Sequence, residues 1–142
     1  MDTPKVILQN FVNWTKKKIR HHSGRQPNNF YFREKEIWWA ALGQNIGYEA
    51  NGKHELFERP VLILKKYSGG MCFVLPCTTQ IKSDSPWYQY AIMIDGTPSA
   101  VNLSQGRTIS TKRLLRKIET ADTEVYNDIV EKFSEQFRQK DV

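Results

Sequence analysis

Three side chains in the first part of the chain have the types that phosphate chemistry needs. Glu49 offers a carboxylate in a polar, glycine-containing loop, Arg59 a guanidinium directly before Pro60, and Thr78 a hydroxyl after Pro76-Cys77. A guanidinium is a fork of five donors that stays charged at any working pH and matches phosphate oxygens. Proline pushes the residue before it into the extended region, so Arg59 is expected where a strand opens. Thr78 and Thr79 follow a strand-like run, where a hydroxyl can leave the ladder and reach a ligand. The three groups therefore belong to the ends of neighbouring strands and could converge on a phosphate. Each has a plainer reading beside that one. Glu49 could be solvated, Arg59 could pair with Glu55 or Glu58, and the threonines could be turn residues.

Two nearby features compete for attention. Gly47, Gly52 and Lys53 fall one residue short of a phosphate-binding P-loop. The Ser or Thr that would hold magnesium is missing, and no helix follows, because Glu58-Arg59-Pro60 opens a strand. His54 is a rival acid or base, since histidines titrate in the useful range; an exposed loop histidine is the alternative. His21 and His22 read as helix-end residues without a catalytic role.

The elements that must position these groups are mostly short strands. Candidates are 36–42, 60–66, 71–77, 87–94, and 100–104 running on to 109, with a tight turn at 67–70 making a hairpin of two of them. Asp95-Gly96 marks another turn. About five short strands in so few residues indicate a small curled sheet or barrel rather than alternating β-α units. Ahead of them, Thr3-Pro4 is a good helix start, with Thr as cap and Pro at the first position. Partial three-to-four spacing of Val6, Ile7, Phe11, Trp14 and Ile19 carries that helix to about His22, and Ser23-Gly24 ends it. Residues 1–31 thus read as a helix and linker added to a barrel domain at 32–142. Near the end, Val125, Ile129, Phe133 and Phe137 form one stripe of a helix over 123–138, expected to dock on the sheet. The long segment 43–58, with its glycines, is expected to be mobile and to border the ligand groove.

Composition narrows the class. The chain has 142 residues, enough for one core, and a net charge of +6. Residues 1–35 hold eight basic side chains against Asp2 and Glu34, and the rest of the chain is neutral. A concentrated basic segment attracts polyanions such as RNA; a solvated helix face explains the same charge. The longest apolar run, 37–42, is too short to span a bilayer. Asp2 and the 16–18 lysine cluster leave no signal peptide, so a cytoplasmic location is expected. Cys72 and Cys77, five apart on one strand, should face opposite ways and suit neither a disulfide nor a metal pair; both are expected to be reduced and structural. Trp38 and Trp39 likewise point apart, so one of them is core.

Four pieces taken in order resemble the MazF/PemK family of toxin ribonucleases over 33–119: EIWW…LG…IGYE at 36–49, RPVLILKK at 59–66, LPCTTQIK at 75–82, and LSQGRTISTKRLLRKI at 103–118. The longer loop before Arg59 is similar to a PemK-like branch carrying an N-terminal extension. Lys35 stands where many members have Gly, and Gly106 where an aliphatic residue is usual. The resemblance implies a mainly β, SH3-like small barrel of the MazF/CcdB type with an N-terminal and a C-terminal helix, usually a homodimer. It implies a metal-independent endoribonuclease without cofactors, in which a ribose 2′-hydroxyl attacks the adjacent phosphate of single-stranded RNA, and a cognate antitoxin as partner. Carried over by position, Arg59 and Thr78 form the core of the site with Glu49 close by, as charge stabiliser, oxygen anchor and base. Lys53, His54, Thr79, Gln80, Lys82, Gln105 and Arg107 become the candidates for contacting RNA. Tyr48, Phe57 and Trp87 flank the site as possible stacking rings.

Two other functions fit the same barrel. One is a topoisomerase-inhibiting toxin, which resemblance ties to exposed C-terminal residues including a Trp, whereas this chain ends Gln139-Lys140-Asp141-Val142. The other is an RNA-binding barrel without catalysis.

Overall fold

Thr3 and Pro4 start the first helix as their types demand. Thr3 is extended, its hydroxyl accepts the Val6 N–H at 3.3 Å, and Pro4 occupies the first helical turn. The structure, a computed structural model, describes residues 3–138. Asp2 and the terminal Gln139–Val142 stretch lie outside the described residues. α1 runs Pro4–Ser23. Seven strands follow: β1 (Glu36–Ala41), β2 (Glu58–Lys66), β3 (Met71–Thr78), β4 (Gln89–Ile94), β5 (Thr97–Asn102), β6 (Arg107–Ser110) and β7 (Leu114–Thr120), and then α2 (Thr123–Glu135). No described helix is long and apolar enough to cross a membrane.

All pairings are antiparallel, in the order β4-β5-β3-β2-β1-β7, with β6 also on β3. The result is a curled, SH3-like half-barrel flanked by two helices. β3 shares one edge between two strands: Met71–Val74 pairs with β6, while Cys77 and Thr78 pair with β5. The stretch 100–109, expected as one run, is therefore two strands interrupted by a turn at 103–106. Asp95 and Gly96 both have positive φ (48° and 73°) inside a two-residue hairpin, as that dipeptide favours. Strand β4 begins at Gln89, leaving Trp87 exposed before it. β7 was not anticipated. Its charges and the two register shifts against β1 blur the alternation that marks a strand.

The sheet has a core on each face. Trp38, Ala40, Val61, Ile63, Cys72 and Val74 share one cluster; Ile37, Leu62, Leu75, Cys77, Val101 and Ile129 share the other. Cys72 and Cys77 do face opposite ways, as free buried thiols. Burial pushes them up to about 11 and about 12, so neither is a nucleophile near neutrality. Trp38 is buried, while Trp39 is half-buried beneath Arg116, whose guanidinium lies 5.0 Å over its ring. α2 seats Ile129, Val125 and Phe133 in the second core, but Phe137 lies beyond the helix and is 70% exposed. Lys35, the residue in place of a usual Gly, has φ 75°, the left-handed conformation that glycine adopts without strain.

Candidate functional site

Arg59 and Thr78 meet because of strand register. β2 and β3 pair Val61 with Pro76, and the same register carried two residues further sets Arg59 across from Thr78. The guanidinium is then held by backbone: its Nε donates to Asn51 O at 2.6 Å and its Nη1 to Cys77 O at 3.1 Å. Neither neighbouring carboxylate takes it. Glu58 is buried and accepts both nitrogens of Arg116, at 2.8 and 2.9 Å. Glu55 is exposed and makes no salt bridge among the described residues. Burial lowers the pKa of Arg59 from its ordinary value, yet a guanidinium remains charged. The site thus holds a cation partly stripped of water that makes no salt bridge among the described residues, an arrangement that suits an anion. Beside it the Thr78 hydroxyl accepts the Gln80 N–H at 3.1 Å, which leaves its own proton free to donate.

The segment between β1 and β2 borders these two residues and is linked to its surroundings by several hydrogen bonds. Asn45 donates its amide to Leu42 O and Ala50 O, and its backbone N–H goes to the Asn51 side chain. Gly52 sits so close to the Phe57 carbonyl that a Cβ would fall 1.6 Å from that oxygen. Gln105 clamps the loop from across the sheet: its Oε1 accepts the Ala50 N–H and its Nε2 donates to Tyr48 O. The amide of Gln105, expected to contact RNA, thus also positions the loop while lining the cleft. Gly106 beside it explains itself sterically, since a Cβ there would lie 2.6 Å from the Phe73 ring. Glu49, exposed on this loop, accepts the Ile46 N–H through Oε1 at 3.0 Å.

A cleft of about 720 Å³ brings together Glu49, Arg59, Thr78, Lys53, His54, Gln80, Lys82 and Gln105. Eight of the ten expected residues therefore share one wall. Thr79 lines a smaller cavity of about 230 Å³, with Trp39 and Ser99, that shares Lys53, His54, Arg59 and Thr78 with the cleft. Arg107 lines a neighbouring cavity of about 360 Å³ with Glu49 and Gln105. Of the flanking aromatics, Tyr48 is fully exposed and lines the cleft, whereas Phe57 is buried under Trp14 at 5.6 Å between rings. Sequence reasoning missed Tyr88, Gln89, Asn102 and Ser104 on the cleft wall. Tyr88 accepts from Lys82 Nζ at 2.8 Å, and Gln89 braces both Lys82 N and Gln80 O. Their one signal was polarity at the ends of strands β4 and β5. Among the described residues no three His, Cys, Asp or Glu side chains are grouped to hold a metal ion.

Comparison with known proteins places the family and the fold. The family model of the PemK-like, MazF-like toxin of type II toxin–antitoxin systems matches residues 33–137. The fold is similar to crystalline MazF (form I) from Deinococcus radiodurans, with 16% identity, a TM-score of 0.63, and 76% of this chain and 97% of that one covered. It is also similar to Mycobacterium tuberculosis toxin MazF-mt6, with 21% identity, a TM-score of 0.55, and 72% and 95% covered. A third neighbour is an endoribonuclease in complex with its cognate antitoxin from mycobacterial species, at 12% identity, a TM-score of 0.55, and 78% and 100% covered. No curated protein matches the chain in sequence.

Proposed function

The chain belongs to the PemK-like, MazF-like toxins of type II toxin–antitoxin systems, and from that premise we propose that it is an endoribonuclease cutting single-stranded RNA at short sequences. The observation that carries this reading is the Arg59 guanidinium, held by two carbonyls and in no salt bridge among the described residues, beside the donor hydroxyl of Thr78 in a cleft that also contains Glu49. In the reaction, the ribose 2′-oxygen bonds to the adjacent phosphorus and the bond to the 5′-oxygen breaks. The 2′ proton goes to Glu49, and the departing oxygen takes one from solvent at the open cleft. Arg59 opposes the extra charge of the five-coordinate phosphate, and Thr78 holds a non-bridging oxygen. The products are a cyclic phosphate and a 5′-hydroxyl end. No step calls on a metal ion. As part of the same reading the enzyme is a homodimer, and its antitoxin lays an acidic or amphipathic segment across the cleft, competing with RNA.

Incubating the purified chain with a long RNA in EDTA, and mapping the new ends, tests this. Discrete cuts with 5′-hydroxyl ends are expected, and Arg59→Ala should slow them about a hundred- to a thousandfold, as for loss of one preorganised charge-stabilising group. Near-normal cutting by that variant would remove Arg59 from the mechanism. No cutting by folded protein across many sequences would end the ribonuclease reading.

A further inference from the structure

The cleft does not stop at the barrel. A second cavity, of about 670 Å³, lies between α1 and the β1–β2 segment and shares Asn10, Gln44, Gly52 and His54 with the first. Its α1 wall is Asn10, Asn13, Lys16, Lys17 and Arg20. At about 100° per residue these five occupy one stripe of the helix, to one side of the buried Trp14. Lys18 falls on the other side of Trp14 and is not part of that wall. Lys16, Lys17 and Arg20 make no salt bridge among the described residues, and Glu55 is the one acidic side chain lining the cavity. α1 also precedes the segment that matches the family model, which begins at residue 33.

We infer that α1 is a substrate-binding arm: Lys16, Lys17 and Arg20 hold backbone phosphates of the same RNA strand that passes Arg59 and Thr78. The continuation of that strand rests on the ribonuclease reading; the demand for phosphate along α1 does not. From Asn10 to Arg20 the helix rises about 15 Å, enough for several phosphates. The lining suits a nucleic-acid backbone better than a protein segment. It offers ammonium, guanidinium and amide donors, with Phe57 as its one apolar side chain, whereas an amphipathic peptide needs a row of apolar pockets. A strand leaving the Arg59 site would enter this second cavity past His54 without crossing an acidic surface of any extent.

The test uses the full chain with Lys16, Lys17 and Arg20 all replaced by Gln, and fluorescein-labelled 2′-O-methyl RNA, which lacks the attacking hydroxyl. Affinity is measured across salt for lengths of about 16 and about 4 nucleotides, the range of site sizes in single-strand grooves. The triple variant should lose about tenfold or more in affinity for the longer RNA at low salt. Its log–log salt slope should flatten by about 0.7 per lost contact, about 2 for three contacts. The difference should shrink on the shorter RNA, and Lys18→Gln should do far less than Lys17→Gln. Unchanged slopes, equal effects of Lys18→Gln and Lys17→Gln, or failure of the wild type to bind this RNA would each overturn the inference. So would a triple variant that binds RNA normally but loses its co-expressed antitoxin, which would reassign the cavity to a protein partner. Because the probe cannot be cut, the two readings fail separately. A chain that cuts natural RNA with an unchanged slope defeats only the arm, and one that never cuts but shows the slope change defeats only the ribonuclease.

Discussion

Two helices lie against the same curled sheet and are held there very differently. α2 seats Val125, Ile129 and Phe133 in one of the sheet's two cores, and its Tyr126 hydroxyl donates to Leu64 O at 2.6 Å. α1 is attached chiefly by one buried ring, with a hydrogen bond from Lys112 Nζ to His22 O at 2.7 Å near its end. Trp14 is 6% exposed against Ala41, Phe57 and the bare backbone of Gly43, while Val6, Ile7, Leu8, Val12 and Ile19 remain exposed. α2 buries Ile129 completely and packs the partly buried Val125, Tyr126, Val130 and Phe133 around it, whereas Trp14 is the one buried residue of α1. At roughly 1.5–3 kcal/mol for a fully buried apolar side chain and less for each partly buried one, α2 has the larger share in the core. The basic stripe of α1 borders the cleft, while α2 contributes nothing to it.

The contrast breaks first in the core. Ile129→Ala should destabilise the whole domain by about 2–5 kcal/mol in chemical denaturation; a loss under about 1 kcal/mol would mean α2 is not integral. Gly43→Ala attacks the other helix. The added Cβ would lie 2.0 Å from the Trp14 ring at a residue with φ +84°. Hydrogen exchange should then show α1 amides freed, with the strands protected as before. Protection of α1 at the wild-type level would show that the helix is held elsewhere.

Smaller effects sharpen the same comparison. Lys35→Gly should stabilise the domain by up to about 1 kcal/mol in thermal melts, because a left-handed non-glycine residue costs roughly 1–2 kcal/mol. The glycine gives up a 3.3 Å contact to Thr123 Oγ1 at the start of α2. A net loss would show that this contact outweighs the strain. The weakest lever is pH. Burial, then the charges of Arg113 and Lys17, lower the pKa of His21. The unfolded or undocked histidine binds its proton at higher pH, so the stabilisation is complete above about 6.5 and is lost as pH falls through the depressed value. Exchange protection of α1, corrected for intrinsic rates, should weaken on acidification and stop doing so in His21→Gln. Docking that tightened at low pH would contradict this.

Local patterns accounted for much of what was legible. The Thr3-Pro4 cap, the α2 stripe through Phe133 and the Asp95-Gly96 hairpin depend on neighbours a few residues apart, and the chain displays them directly. β7 was not legible, because register shifts against β1 and three interspersed charges hide its alternation. Phe137 fits the stripe by spacing, yet the helix ends at Glu135 and the ring stays in water.

By itself the sequence determined that short strands would present Glu49, Arg59 and Thr78 near one another, in an order that marks the family. It could not choose their partners. Arg59 adjoins Glu58 in the chain, but successive strand residues face opposite ways, so Glu58 meets Arg116 on β7 and Arg59 is left to two carbonyls. The bonds of Gln105 to the Ala50 N–H and Tyr48 carbonyl, more than fifty residues away in the chain, were also invisible in the sequence. The placement of α1's basic stripe beside the cleft was likewise settled by where one tryptophan finds room. Pairing across space follows register, twist and free volume, and only the folded chain decides those.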